Sequence, residues 1–198
     1  MSDGTTGAAP AALTQMLARA SVTPRLLAEP GPSVSELEMA ISAALTAPDH
    51  GMLRPWRFVT IEGEARARLG ALMVASLLRR MPDAPTEALA KEEHKPQRAP
   101  LVIIAGAAIR HGHKIPVWEQ EASAAAGIMN LMHALEAQGY GTFWSSAPSL
   151  LDPEMKQALG FPETDRLLGF IHVGTLAGPK PEPHRPAPAA YWRAWSGI

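Results

Sequence analysis

The stretch Ala47-Pro48-Asp49-His50-Gly51-Met52-Leu53-Arg54-Pro55-Trp56 separates a helical pattern from a strand pattern. It carries a His and an Arg in a loop pinned by prolines. Each proline fixes its own φ and biases the residue before it toward extended geometry, so such a loop has few ways to move. Two hydrogen-bonding, potentially cationic side chains are thereby presented rigidly, as an anionic or heteroaromatic ligand requires. An ordinary helix-to-strand connection, with a solvated Arg and a capping His, is the other reading of the same residues.

Upstream of this loop, Ser33 and Glu36 form a capping-box pattern that opens a helix. Leu37, Ile41, Ala44 and Leu45 give its buried stripe, and Pro48 stops it. Farther upstream, Leu13, Met16, Leu17 and Ala20 have helical spacing, so a short helix ends near Arg19 to Ser21, before Pro24. Residues 1–12 have the composition of a disordered leader. Downstream, Trp56 to Ile61 is rich in aromatic and β-branched residues and predicts a strand. Leu69, Leu72, Met73, Ser76 and Leu77 mark a third helix. Pro82, Pro85 and Pro96 then bracket a charged segment that suits a mobile helical excursion or lid.

Leu101 to Ala105 is apolar at every position, which places a second strand centrally in a sheet covered by helices. Pro116 opens a helix of about twenty residues that runs to Gln138, with Gly139 as its C-cap. Ala122, Ala125, Ala126, Met129 and His133 give that helix little bulk, so it can lie deep in the core or approach a symmetry mate closely. Tyr140 to Ser145 and Leu167 to Val173 are the third and fourth strands, with a short helix over Pro153 to Leu159 between them. Residues 13–177 therefore form one α+β domain. Residues 178–198 are a Pro-rich tail carrying Tyr191, Trp192 and Trp195, aromatics that need a surface to cover; a partner subunit can supply one.

Composition narrows the function. The 198 residues, 46% of them hydrophobic, suffice for one well-filled domain. Eighteen Lys and Arg against nineteen Asp and Glu leave no net attraction to nucleic acid or an anionic membrane. With no Cys, thiol nucleophiles, iron–sulfur clusters and thiolate zinc sites are all excluded, so redox chemistry must come from a bound cofactor. The first eighteen residues hold no Lys or Arg, against a secretory signal, and Leu101 to Ile109 is too short to span a bilayer. A soluble cytoplasmic protein is expected.

Glycine-rich nucleotide motifs, the P-loop, G-x-S-x-G and H-E-x-x-H are all absent from the sequence. His111 and His113 lack a third ligand at a suggestive spacing, which favours a solvated loop over a metal site. Four segments remain. Arg19-Ala20-Ser21 joins a guanidinium to a hydroxyl at a helix end, which suits a phosphate. The second is the opening loop. His113 to Glu121 is a polar and aromatic cluster at a helix start, where Glu119 and Glu121 also complement the helix dipole. Gly139-Tyr140-Gly141-Thr142-Phe143-Trp144-Ser145-Ser146 is either a close-approach site or a turn into a core strand.

The order of these segments resembles the nitroreductase family of flavoproteins, and more specifically its short bacterial NAD(P)H members. The resemblance runs from about Leu17 to Thr175. It is sharpest at Ala47-Pro48-Asp49-His50 with Pro55-Trp56, at Trp118-Glu119-Gln120-Glu121, and at Ala137-Gln138-Gly139-Tyr140-Gly141. It implies an α+β fold with a central, mostly antiparallel or mixed sheet of four to five strands flanked by helices, in a homodimer with an extensive interface. It also implies one FMN in each of two clefts at that interface.

By the same resemblance, Arg19, Ala20 and Ser21 would engage the FMN phosphate and ribityl chain, and Trp144, Ser145 and Ser146 would border the ring. His50 and Arg54 would reach it from the other subunit. Ala134, Leu135, Glu136, Ala137, Gln138 and Gly139 match a stretch associated with the nicotinamide nucleotide. No catalytic side chain and no metal is implied, because the chemistry belongs to the flavin. Relatives commonly have Arg-Arg-Ser at Arg19-Ala20-Ser21, Gln at Arg54, and Trp-Arg-Ser at Trp144-Ser145-Ser146. Two charges are thus lost and one gained; a charge-assisted hydrogen bond is worth about 1.5–3 kcal/mol, so an uncompensated loss weakens FMN binding by about one to two orders of magnitude.

The expected function is an FMN-dependent oxidoreductase that takes hydride from NADH or NADPH and passes it to a small nitroaromatic, quinone or similar acceptor by a ping-pong cycle. A flavin-binding or flavin-handling protein with weak NAD(P)H turnover is the nearest alternative. A non-catalytic dimeric interaction module that docks through its aromatic tail is the alternative of another class.

Overall fold

The computed structural model describes residues 10–197, and its organisation follows from one strand, β3 (Leu101–Ala107), whose every residue is buried. Successive side chains of a strand point to opposite faces. Leu101, Ile103 and Ala105 accordingly enter one core cluster, with Ile128, Leu131 and Leu135 of α5 (Val117–Ala137) and Ala40 and Ala44 of α2 (Val34–Ala44). Val102 and Ile104 enter a second, with Leu69 and Met73 of α3 (Ala65–Arg80) and Met155 of α6 (Pro153–Ala158). A sheet sandwiched between two helical layers accounts for the uninterrupted apolar run.

The sheet has five strands, all antiparallel. β2 (Trp56–Glu62) pairs with β3, from Trp56 opposite Ala107 to Glu62 opposite Leu101. The long β5 (Arg166–Leu176) flanks β3 on its other side. β4 (Tyr140–Ser145) lies along the opposite edge of β5, so that Val173 stands between Leu101 and Thr142. β1, only Leu27–Ala28, continues past the end of β3; two residues are too few for any periodicity, and the four strands read from sequence omit it.

The predicted helices form with small shifts. Ser33 caps α2, and its reciprocal bonds with Glu36 complete the capping box. Pro116 is the N-cap of α5, which ends at Ala137. Ala11 and Ala12, assigned by composition to the leader, are instead the first residues of α1 (Ala11–Ala18); residues 1–9 of that leader lie outside the described residues. The charged segment after Pro82 contains α4 (Thr86–His94). It is seated on α3: a Cβ on Gly70 would come within 2.3 Å of the Glu93 carbonyl oxygen, so the two backbones meet there.

A second close approach fixes the helix that backs the opening loop. At Gly127 of α5 a Cβ would stand 2.6 Å from the Trp56 ring and 3.1 Å from the Ala44 carbonyl oxygen. Trp56 donates its indole N–H to the Ser123 carbonyl at 3.0 Å. β2, α2 and α5 therefore lock together at the point where the loop enters the sheet. The tail is extended apart from a short 3₁₀ turn over Pro188–Ala190, and Tyr191, Trp192 and Trp195 are all exposed.

Candidate functional site

Arg19 to Ser21 leave α1 in extended geometry and run along β4. The Val22 N–H donates to the Thr142 carbonyl at 2.9 Å, tying the segment to the middle of that strand. Ala20 is buried, whereas Ser21 is exposed. Among the described residues the Arg19 guanidinium has no hydrogen-bond or ion-pair partner. This short segment thus carries an unpaired cation and an exposed hydroxyl, with the buried Ala20 between them.

At the other end of β4, the Trp144 indole N–H donates to the Leu168 carbonyl at 3.2 Å, which holds the ring over the start of β5. Ser145 Oγ lies 3.2 Å from Nε2 of His172. His172 is 8% exposed and its Nδ1 has no partner. Burial, reinforced by the positive charge of Arg98, pushes its pKa down to about 4, so the imidazole is neutral at physiological pH. Beside it opens a cavity of about 270 Å³ lined by Thr23, Lys95, Arg98, Ser145, Ser146 and His172 over an apolar floor. The Lys95 ammonium is paired with Glu92. Arg98 has no such partner among the described residues.

The opening loop is built differently. Both oxygens of Asp49 accept backbone N–H groups, from Leu53 at 3.1 Å and from Arg54 at 2.7 Å. Gly51, Met52 and Arg54 all have positive φ, at 73°, 52° and 52°. Non-glycine residues there cost on the order of 1–2 kcal/mol each, and such strain concentrates where a side chain must be aimed. The result points Met52 and Arg54 outward, and the Arg54 guanidinium has no partner among the described residues. His50 Nδ1 lies 2.7 Å from Glu119 Oε2 at the start of α5, next to the exposed Trp118.

Within one protomer these groups do not all meet. Arg19 and Ser21 share the β4 edge with Trp144, Ser145 and Ser146, whereas the loop enters β2, three strands across the sheet. At about 4.8 Å per strand that is on the order of 14 Å. In the stretch assigned to a nicotinamide nucleotide, several side chains are engaged within the fold. Leu135 is fully enclosed in the core, Glu136 accepts from Thr142 at 3.0 Å and pairs with Lys180 at 2.7 Å, and the Gln138 amide donates to the Glu36 carbonyl at 3.2 Å. Ala134 and Ala137 offer no polar group, and Gly139, at φ 94°, ends the helix. This segment is occupied in joining α5 to β4, α2 and the tail.

Lys95, Arg98, His172 and Arg185, whose guanidinium donates to the Arg19 carbonyl, were not anticipated. Only His172 left a signal, a titratable residue inside an apolar strand pattern. Among the described residues no cluster of His, Asp or Glu could hold a metal ion, and His113 Nδ1 accepts the Ile115 N–H at 3.1 Å. No described helix is long and apolar enough to cross a membrane.

Comparison with known proteins matches residues 16–175 to the nitroreductase family model. The chain is 38% identical over 149 residues to the Escherichia coli K12 protein named "Putative NAD(P)H nitroreductase YdjA", covering 75% of this chain and 80% of that one. A nitroreductase-like family protein from Bacillus cereus has the same fold, with a TM-score of 0.80 at 21% identity over 95% of this chain and 97% of that one. A variant of the FMN and NADPH-dependent nitroreductase NfnB from a Sphigopyxis strain superposes with a TM-score of 0.73 at 15% identity, covering 96% and 100% of the two chains. At these identities the two structures speak to the fold alone.

Proposed function

This chain belongs to the nitroreductase family, and we propose that it is an FMN-dependent oxidoreductase, taking hydride from NADH or NADPH and reducing nitroaromatics, quinones or similar electrophiles in a ping-pong cycle. The observation that carries this reading is the β4 edge. There the segment that carries Arg19 and Ser21 is tied through Val22 to Thr142, and the Thr23 that follows lines, with Ser145 and Ser146, a cavity that also holds Lys95 and Arg98. An unpaired guanidinium with hydroxyls is the donor set an anionic, polyhydroxylated cofactor needs.

When bound, FMN supplies the hydride chemistry. The chain supplies position: Arg19 and Ser21 would hold the phosphate and ribityl end, and Trp144, Ser145 and Ser146 would border the ring. His172, kept neutral by burial, offers Ser145 an acceptor or donor without adding charge. His50 and Arg54 lie too far across the sheet to join this set in one protomer, so a second copy of the chain would contribute them. The exposed apolar residues Leu13, Met16 and Leu17 of α1 and Met52 and Trp118 near the loop are surfaces for that copy to cover.

The test is spectroscopic. Purified protein, or protein titrated with FMN, should acquire bound-flavin absorbance that NADH or NADPH bleaches in a stopped-flow cell. A protein that stays colourless at saturating FMN overturns the reading. The chain carries Ala20 and Ser145 where relatives have Arg, and this favours one second reading, a flavin-handling protein with weak NAD(P)H turnover. Flavin that binds and is reduced only slowly would select it.

A further inference from the structure

We propose that the loop joining β3 to α5, with Arg110 and Lys114 at its surface, forms a cationic rim that receives the pyrophosphate of the nicotinamide dinucleotide. This rests on the FMN reading above and on the second copy that brings His50 and Arg54 to the flavin. The stretch Ala134 to Gly139 contains no Lys or Arg, so the phosphates of the hydride donor need cations from elsewhere.

A buried amide holds this loop in shape. Gln120 is 2% exposed, and its Oε1 accepts the Arg110 N–H at 2.8 Å. Its Nε2 donates to the Arg110 carbonyl at 3.3 Å and to the Ile115 carbonyl at 3.0 Å. One side chain thus clamps both ends of the loop, and inside it His113 Nδ1 accepts the Ile115 N–H at 3.1 Å. A buried polar group satisfied in this way rigidifies the segment it holds.

The same loop is fastened to the loop that carries His50 and Arg54. The Ala108 N–H donates to the Pro55 carbonyl at 2.7 Å, and a Cβ on Gly51 would come within 2.3 Å of the Ile115 side chain. Just beyond, Glu119 meets His50 at 2.7 Å. Whichever copy of the chain brings His50 and Arg54 to a flavin therefore brings residues 110–115 to the rim of the same cleft.

Charge decides what that rim attracts. Within residues 47–56 and 108–121 the acids are Asp49, Glu119 and Glu121. Asp49 accepts two backbone N–H groups, Glu119 is paired with His50, and Glu121 is paired with Arg166 at 2.7 Å. The side chains of Arg54, Arg110 and Lys114 are all exposed and have no partner among the described residues. Cations carried on a braced loop attract an anion without the backbone first having to be ordered. A pyrophosphate offers oxygens for a bidentate Arg contact and a charge for Lys. An uncharged hydride donor gives these groups nothing to hold.

The experiment compares the full-length, FMN-loaded protein with its Arg110→Ala/Lys114→Ala double variant. Both side chains are exposed, so neither substitution disturbs the core. Stopped-flow bleaching of the flavin is followed with NADH and with N-benzyldihydronicotinamide, which carries the reacting ring and no phosphate. The double variant should raise the apparent dissociation constant for NADH about tenfold, as two exposed ionic contacts would, with the limiting rate and the benzyl analogue unaffected. The gap between the two proteins should narrow as salt is raised. Calorimetric titration with ADP-ribose, which carries the pyrophosphate without the nicotinamide ring, should show the same weakening at equilibrium. Equal NADH affinity in the two proteins, an equal loss for NADH and the benzyl analogue, or ADP-ribose binding that the substitutions leave unchanged overturns the rim while leaving the FMN reading intact. Failure of the unsubstituted protein to bind flavin overturns both.

Discussion

His172 makes the stability of this protein depend on pH in a calculable way. In the native state its pKa is pushed from 6.5 to about 4 by burial and by Arg98, and no carboxylate faces it to offset them. In the unfolded chain it titrates at its ordinary value, so between the two values the unfolded state binds the extra proton. Stability from this residue is therefore complete above pH 6.5 and is lost as pH falls toward 4. Linkage gives a loss of about 2 kcal/mol between pH 7 and pH 5 from this one group. The perturbation is His172→Gln, which keeps a polar group near Ser145 and cannot titrate. Urea unfolding at pH 7 and at pH 5 measures the difference for each protein. The variant is expected to start less stable at pH 7 and to lose about 2 kcal/mol less on acidification. An identical acid-induced loss in both proteins refutes a buried neutral imidazole.

Gly127→Ala should lower stability by about 2–3 kcal/mol, because the new methyl displaces the Trp56 ring and its bond to Ser123; a melting temperature unchanged within a degree or two contradicts that packing. Asp152→Ala removes the acceptor of the Glu154 and Met155 N–H groups at the start of α6 and the partner of Arg79 at 2.7 Å. A cost of about 2–4 kcal/mol in denaturant unfolding is expected, and one below about 0.5 kcal/mol would show the pair to be incidental. Arg54→Ala should raise the FMN dissociation constant by about tenfold, read by flavin fluorescence, and an unchanged titration removes Arg54 from the site.

What was legible in the sequence was whatever rests on local chemistry. Ser33 with Glu36, Pro116, and the β-branched run through Val59 to Ile61 each set their element without help from distant residues. Arg19, Ser21 and Trp144 to Ser146 were located by resemblance, and the bond from Val22 to Thr142 ties the first segment to the strand that leads into the second. The cavity wall was not legible. Arg98 and His172 are brought near each other by the register that sets Val102 opposite His172, a pairing no local pattern encodes. For the stretch from Ala134 to Gly139, recognition by likeness carries no information about which side chains are already engaged. Leu135 in the core and Glu136 on Lys180 are facts of packing. Arg185 was invisible because a proline-rich tail gives no periodicity to place it.

The distance across the sheet between the β4 edge and the loop bearing His50 and Arg54 has a thermodynamic corollary. If a second copy completes each cleft, cofactor and protein associate in one linked equilibrium. Dilution should then release flavin from protein that is otherwise fully folded, and saturating FMN should lower the concentration at which monomers appear. Occupancy would follow the abundance of the protein itself, so a cell making little of it would hold mostly empty, dissociated chains.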